Sequence, residues 1–170
     1  IDVAIRALAE VRRRVPAAEL VVVGSGDRRQ DLERLSRDLE VPVTFTGFIS
    51  EAEKVGWLNR AHVVVCPSMK EGWGLTVIEA LACGTPVVAS DVHGHRDSLC
   101  EGAGVLVPYG DIGATAEAIV DILKDDRKRE AFRRRGLAWA SRFDWDKVAD
   151  RFEAKMLDVA GVKAEGVAVS

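Results

Sequence analysis

No apolar run in this sequence approaches the roughly twenty residues of a membrane span. Internal repeats and single-composition tracts are also missing, which excludes a solenoid or a low-complexity linker. Charge of one sign is scarce in net terms: −3 over 170 residues. No strong field therefore favours nucleic acid or an anionic surface, and no nucleic-acid partner is expected. Cysteine occurs three times, at Cys66, Cys83 and Cys100, seventeen residues apart each time. That spacing fits neither a metal knuckle nor a redox pair. Reduced, packed thiols in a cytoplasmic protein are the expectation. No Asp-x-Asp pair follows a strand, so a diphosphate chelated through such a metal site is not indicated. Ile1-Asp2-Val3-Ala4-Ile5 runs straight into a helix without an initiator Met, so the chain reads as cut from something longer.

What is present is a one-domain composition, 48% apolar and 30% charged, ordinary for a globular protein. Asp2 is placed to cap a helix reaching Arg14, ended by Pro16. Glu19 to Val23, uninterruptedly apolar from Leu20 on, reads as a strand buried on both faces. A helix over 28–39 puts Leu32, Leu35 and Leu39 on one stripe. Val41 to Phe45 is a second strand. Ser50-Glu51-Ala52-Glu53 is a capping box opening a helix to Asn59. Further strands are expected at 63–66, 86–89 and 104–107, and further helices at 75–82, 111–123, 127–140 and 144–160. Residues 91–97 read as a polar loop. Strands alternating with helices predict an α/β fold, a Rossmann-like, doubly wound parallel sheet with helices at its C-terminal end. Residues 1–160 form the expected domain, and 161–170 a flexible tail.

Ligands of such sheets bind beyond the carboxyl ends of the strands. The loops Gly24–Asp27, Gly47–Ser50 and Pro67–Gly74, and the one after Ser90, share that edge. In the third, Gly72 and Gly74 precede a short helix beginning at Leu75 and Thr76. Its first amides have no intrahelical acceptor and would suit a phosphate. The same glycines would equally serve a tight turn. Gly24-Ser25-Gly26 lacks the third glycine of a dinucleotide fingerprint and reads as a plain turn beside the site.

Glu71 lies in the loop, as a solvated carboxylate or as an acceptor for sugar hydroxyls. Glu79 lies in a helix that is apolar nearly all round, so it is expected inside, where it needs a partner. A ribose is one candidate, and protein donors are another. The pair could also be imagined as glycosidase carboxylates. A phosphate-type loop between them argues against that. His93 and His95 flank Gly94 without a third metal ligand nearby and read as a solvated or locally hydrogen-bonded pair. The clusters Arg127-Lys128-Arg129 and Arg133-Arg134-Arg135 leave room for a membrane-surface or lipid-acceptor contact. Asp125, Asp126 and Glu130 dilute it.

Pro67-Ser68, Glu71-Gly72-Trp73-Gly74-Leu75 and Glu79-Ala80-Leu81-Ala82-Cys83-Gly84-Thr85-Pro86 together resemble the donor-site signature of family 4 glycosyltransferases. Its two glutamates have seven residues between them, as Glu71 and Glu79 do. Leu20–Gly26, Val43–Phe48 and Gly104–Pro108 match as well, and the likeness covers about residues 1–125. The resemblance implies the C-terminal, donor-binding half of the two-domain GT-B fold. It implies retaining transfer of a hexose-type sugar from a nucleotide diphosphate sugar to an acceptor hydroxyl, with no metal or other cofactor.

By the same resemblance Glu71 is the catalytic-site carboxylate that binds sugar hydroxyls, helped by Gly72, Trp73 and Gly74. The amides of Leu75 and Thr76 hold the diphosphate, and Glu79 binds the ribose. Phe48 and Ile49 border the base, while Gly24 is placed near the phosphates by its strand-end loop alone. The family's Arg and Lys, which precede the first helix of this domain, are not in the chain, nor is its acceptor domain. The chain alone is therefore expected to be inactive. A non-catalytic nucleotide-sugar-binding module is the alternative. The family usually carries a small residue at position 93 and seldom a histidine at 95. The expected location is the cytoplasm, with the inner face of the membrane as a place for peripheral contact.

Overall fold

The computed structural model describes residues 1–161. The chain divides into two units, Ile1–Ala140 and Ser141 onward. The expected tail lies, apart from Gly161, outside the described residues.

In the first unit the order is α1 (Asp2–Arg12), β1 (Leu20–Val23), α2 (Arg29–Asp38), β2 (Val43–Gly47), α3 (Glu51–Arg60), β3 (Val64–Cys66), α4 (Leu75–Ala82), β4 (Val87–Ser90), α5 (His93–Ser98), β5 (Gly104–Val107), α6 (Ile112–Lys124) and α7 (Asp126–Ala140). Every strand pair is parallel. This is the α/β alternation that the sequence predicts. The single sheet, however, is divided. β1 pairs with β2, and β3, β4 and β5 form a second sheet in that order. Among the described residues no strand pairs with both β1 and β3. β1 is accordingly only half-buried, and Val23 is 42% exposed, which corrects the expectation of a strand covered on both faces. β4, paired on each side, is buried throughout.

The core gathers where α1 and α6 meet the second sheet. Ala7 and Val11 of α1 pack with Val88, Val107, Ile119, Val120 and Ile122. Burying a large apolar side chain of this kind contributes about 1.5–3 kcal/mol. Asp2 does not cap α1. It is the first helical residue, Ile1 holds the cap position, and no side chain bonds the free amides there. Asp2 still acts favourably on the helix dipole from the first turn. Asp111 caps α6 by accepting from the Ala114 amide at 2.8 Å.

α4 and α7 lie against one another through Gly136, whose added Cβ would sit 2.9 Å from Leu81 Cδ2. A side chain at this position would have to push the tip of Leu81 aside. α7 also reaches α5: Trp139 Nε1 donates to the Ser98 carbonyl at 2.9 Å.

The second unit contains α8 (Trp145–Val159), capped by Asp144, which accepts from the amides of Asp146 and Lys147. Trp145, Val148, Phe152, Met156 and Val159 are all exposed. No helix among the described residues is long and apolar enough to cross a membrane.

Candidate donor-binding site

The site begins with a glycine conformation. Gly74, at the cap position of α4, has φ 77°, a left-handed value that favours glycine. That conformation makes the turn from the loop after β3 into the start of α4. The first helical hydrogen bonds run from Val77 N and Ile78 N to Gly74 O. The amides of Leu75 and Thr76 thus come before any intrahelical acceptor. They form the positive end of the helix dipole, a place for an anion. Leu75 is itself 57% exposed, so α4 is not covered all round. Val77, Ile78, Ala80 and Leu81 make its buried face.

Glu79 lies on the flank of that face. Its side chain is 39% exposed, which corrects the expectation of burial. The apolar stripe of α4 is wide but leaves this edge open. Its partner is a protein cation that the sequence reading did not single out. Lys54 Nζ donates to Glu79 Oε1 at 2.9 Å and also reaches Glu51 Oε2 at 2.8 Å. These two carboxylates, Glu51 first and Glu79 second, raise the lysine above its usual value.

Lys54 stands on α3, whose start is fixed by the predicted capping box. Ser50 Oγ accepts from the Glu53 amide at 3.3 Å, and Glu53 Oε2 accepts from the Ser50 amide at 2.9 Å. A basic residue one position beyond a capping box was the available signal. α3 follows β2 and α4 follows β3, so the Lys54–Glu79 bond joins a helix connected to the first sheet with one connected to the second. Glu79 Oε2 has no protein partner among the described residues.

Glu71 is 34% exposed and points two ways. Oε1 accepts from the Gly72 amide at 3.1 Å, and Oε2 faces His95 Nε2 at 3.9 Å. The polar loop expected at 91–97 is in fact the short helix α5, and it brings His95 inside. That residue is 1% exposed, and its Nδ1 lies 2.9 Å from Ser90 O. His93 is solvated, 88% exposed, so the two histidines share sequence but not environment. Cys66, at the end of β3, completes the floor. Burial first, and then the Glu71 charge, push its thiol up to about 12.

Gly24 has φ 112° and bridges Gly47 at the mouth of the two-stranded sheet. Phe48 is 91% exposed just beyond it, and Ile49 is half-buried. The structure therefore places Glu71, Gly72, Trp73, Gly74, Leu75, Thr76 and Glu79 around one helix start, and Gly24, Phe48 and Ile49 at the end of β1 and β2. Two shallow hollows lie along α1 and α2, one of them lined by Asp2, Arg6, Arg28 and Asp31. Their linings mix acidic and basic side chains, whereas the start of α4 joins open amides to Glu71 and Glu79, which makes the wall at α4 the better candidate.

The family model described as "Glycosyl transferases group 1" matches residues 1–139. The chain belongs to that family. This group 1 chain is 34% identical over 167 residues to a phosphatidyl-myo-inositol mannosyltransferase of Mycolicibacterium smegmatis, covering 96% of itself and 43% of the relative. It is 38% identical over 149 residues to a GDP-mannose-dependent alpha-(1-6)-phosphatidylinositol monomannoside mannosyltransferase of the same organism. That match covers 82% of this chain and 39% of the relative. It thus spans less than half the length of these curated relatives. Among solved structures, sucrose-phosphate synthase from Thermosynechococcus elongatus superposes with a TM-score of 0.81 at 32% identity. The match covers 92% of this chain and 42% of that one. Anabaena HepE in complex with UDP-glucose, at 24% identity and a TM-score of 0.82 over 92% and 44%, shares the fold. The group 1 transferase chain has the fold of the C-terminal half of a GT-B enzyme.

Proposed function

We propose that this chain is the donor-binding half of a retaining glycosyltransferase that moves a hexose from a nucleotide diphosphate sugar to an acceptor hydroxyl. One arrangement carries the reading: Glu71 and Glu79 stand on either side of a helix start whose first amides are open. The Leu75 and Thr76 amides would hold the diphosphate and stabilise the charge that builds on it as the sugar leaves. This is electrostatic catalysis by preorganised dipoles. Glu79, with Oε1 already held by Lys54, would offer Oε2 to the ribose hydroxyls. Glu71 would accept hydrogen bonds from the sugar. Gly24 would lie beside the phosphates, and Phe48 and Ile49 would border the base. Donor binding would need no metal.

GDP-mannose is the donor class to try first, because two relatives at 34% and 38% identity are named for mannosyl transfer. Their names also make an inositol phospholipid the acceptor class to test. The protein would then work from the cytoplasm, at the inner face of the membrane. The deciding experiment is calorimetry of the full chain with GDP-mannose, UDP-glucose and ADP-glucose. Saturable binding of one, weakened in Glu79→Ala, is expected. Absence of binding to all three overturns the proposal.

A further inference from the structure

Glu71 is held from two sides, and the second side is unusual. Oε1 is occupied by the amide of its neighbour Gly72. Oε2 looks at the ring of His95 across 3.9 Å, longer than a hydrogen bond but within reach of an ion pair. The ring cannot turn freely. A carbonyl oxygen only accepts, so the Nδ1 that lies 2.9 Å from Ser90 O must carry the proton. Nε2 is left facing the carboxylate. Protonated there, the imidazole pairs with Oε2. Unprotonated, it presents a lone pair to a negative charge.

The surroundings fix this approach sterically. A Cβ on Gly94 would meet Glu71 O at 2.5 Å, and a Cβ on Gly74 would meet His95 Cδ2 at 3.0 Å and Ser98 Oγ at 2.6 Å. α5 is therefore seated on the Glu71–Gly74 turn with no side chain between them. Trp139 fastens its far end through the Ser98 carbonyl.

We infer that His95 is the positioning residue of Glu71: its Nε2 sets the direction of Oε2, and thereby the hydroxyl-accepting face of the carboxylate, while the ring itself stays out of contact with ligand. The role rests on the reading of Glu71 as the donor-sugar carboxylate. The ring's 1% exposure is what separates positioning from direct recognition.

The test has two arms in the full chain. Nitrogen-15 NMR of the histidine rings reports tautomer and neighbour without any ligand. Nδ1 of His95 should carry a proton, and Glu71→Gln should move the His95 Nε2 resonance while those of His62 and His93 stay in place. An unmoved His95 resonance overturns the inference. The second arm compares GDP-mannose with GDP, and UDP-glucose with UDP, by calorimetry. His95→Phe should lower the preference for the sugar-bearing nucleotide by about tenfold, the order of one charge-assisted contact. It should leave the bare nucleotide unaffected, and His95→Gln, which keeps a donor, should recover part of the loss. If His95→Phe keeps the preference while Glu71→Gln loses it, His95 has no positioning role and the proposed function stands. If Glu71→Gln keeps the preference, the donor-sugar reading of Glu71 falls, and with it this role.

Discussion

A methyl group has no room between Gly94 and Glu71. A Cβ at residue 94 would lie 2.5 Å from the Glu71 carbonyl oxygen and 2.8 Å from the Gly72 carbonyl carbon. Both obstacles are backbone, which cannot swing aside as a side chain tip does. Gly94→Ala should therefore displace the Glu71 turn and destabilise the chain by about 1–3 kcal/mol, the usual cost of overpacking. Thermal denaturation measures the loss. Calorimetry with a nucleotide sugar should show weakened binding in the variant even well below its melting temperature.

Glu79→Ala is expected to weaken nucleotide binding by about 1–3 kcal/mol, the loss of a hydrogen bond to a charged acceptor. Lys54→Met should weaken it as well, because the glutamate loses the donor that orients it. Both side chains are partly solvated, so the pair itself should contribute less than ~1 kcal/mol to folding. A double-mutant cycle read on both stability and affinity separates these effects. Equal affinity in Lys54→Met and the parent would remove Lys54 from the site.

Ser50→Ala should cost about 1 kcal/mol by removing one half of the capping box. Because α3 carries Lys54, urea melts and nucleotide affinity should both respond. Ser50→Asp, which restores a cap acceptor, should recover the stability.

Alkaline pH offers a separate check through Cys66. Its folded-state value lies above the ordinary one, so the native chain keeps a proton that the unfolded chain has released. Stability contributed through this group therefore falls as pH rises from 9.0 towards about 12. Lys54, also raised, acts in the same direction once pH passes the ordinary lysine value of 10.5. Cys66→Ala should show a shallower alkaline decline in denaturation experiments. A thiol alkylating reagent at pH 8 should leave Cys66 untouched in the native chain and modify it after unfolding, as mass spectrometry would show.

The local features were the legible ones. The capping box at Ser50 and Glu53 and the bounds of α4 depend on neighbours in sequence, and both stand as predicted. The order of strands and helices, α5 apart, follows from apolar runs and is equally plain. What escaped depends on residues far apart. The salt bridge that partners Glu79 comes from a helix twenty-five positions away, and a single amphipathic stripe cannot show which of its flanks stays wet. For His95 the sequence leaves a solvated and a locally hydrogen-bonded ring open, because Asp91, His93, Arg96 and Asp97 surround it; the second is what the structure has, with Nδ1 against Ser90 O. It is the helical turn of α5 that points this one side chain inward. The division of the sheet was invisible because a strand's own residues do not say how many neighbours it has.

That division bears on how the chain behaves outside a cell. Among the described residues β1 and β3 are each hydrogen-bonded along one side only, and both are uncharged, mostly valine and free of proline. Edges of this kind template the addition of further strands. At high concentration the chain by itself should grow oligomers from these two edges, with Leu20–Val23 as the stickier segment. A lysine at the exposed Val23 would be the first change to make for anyone trying to keep it monodisperse.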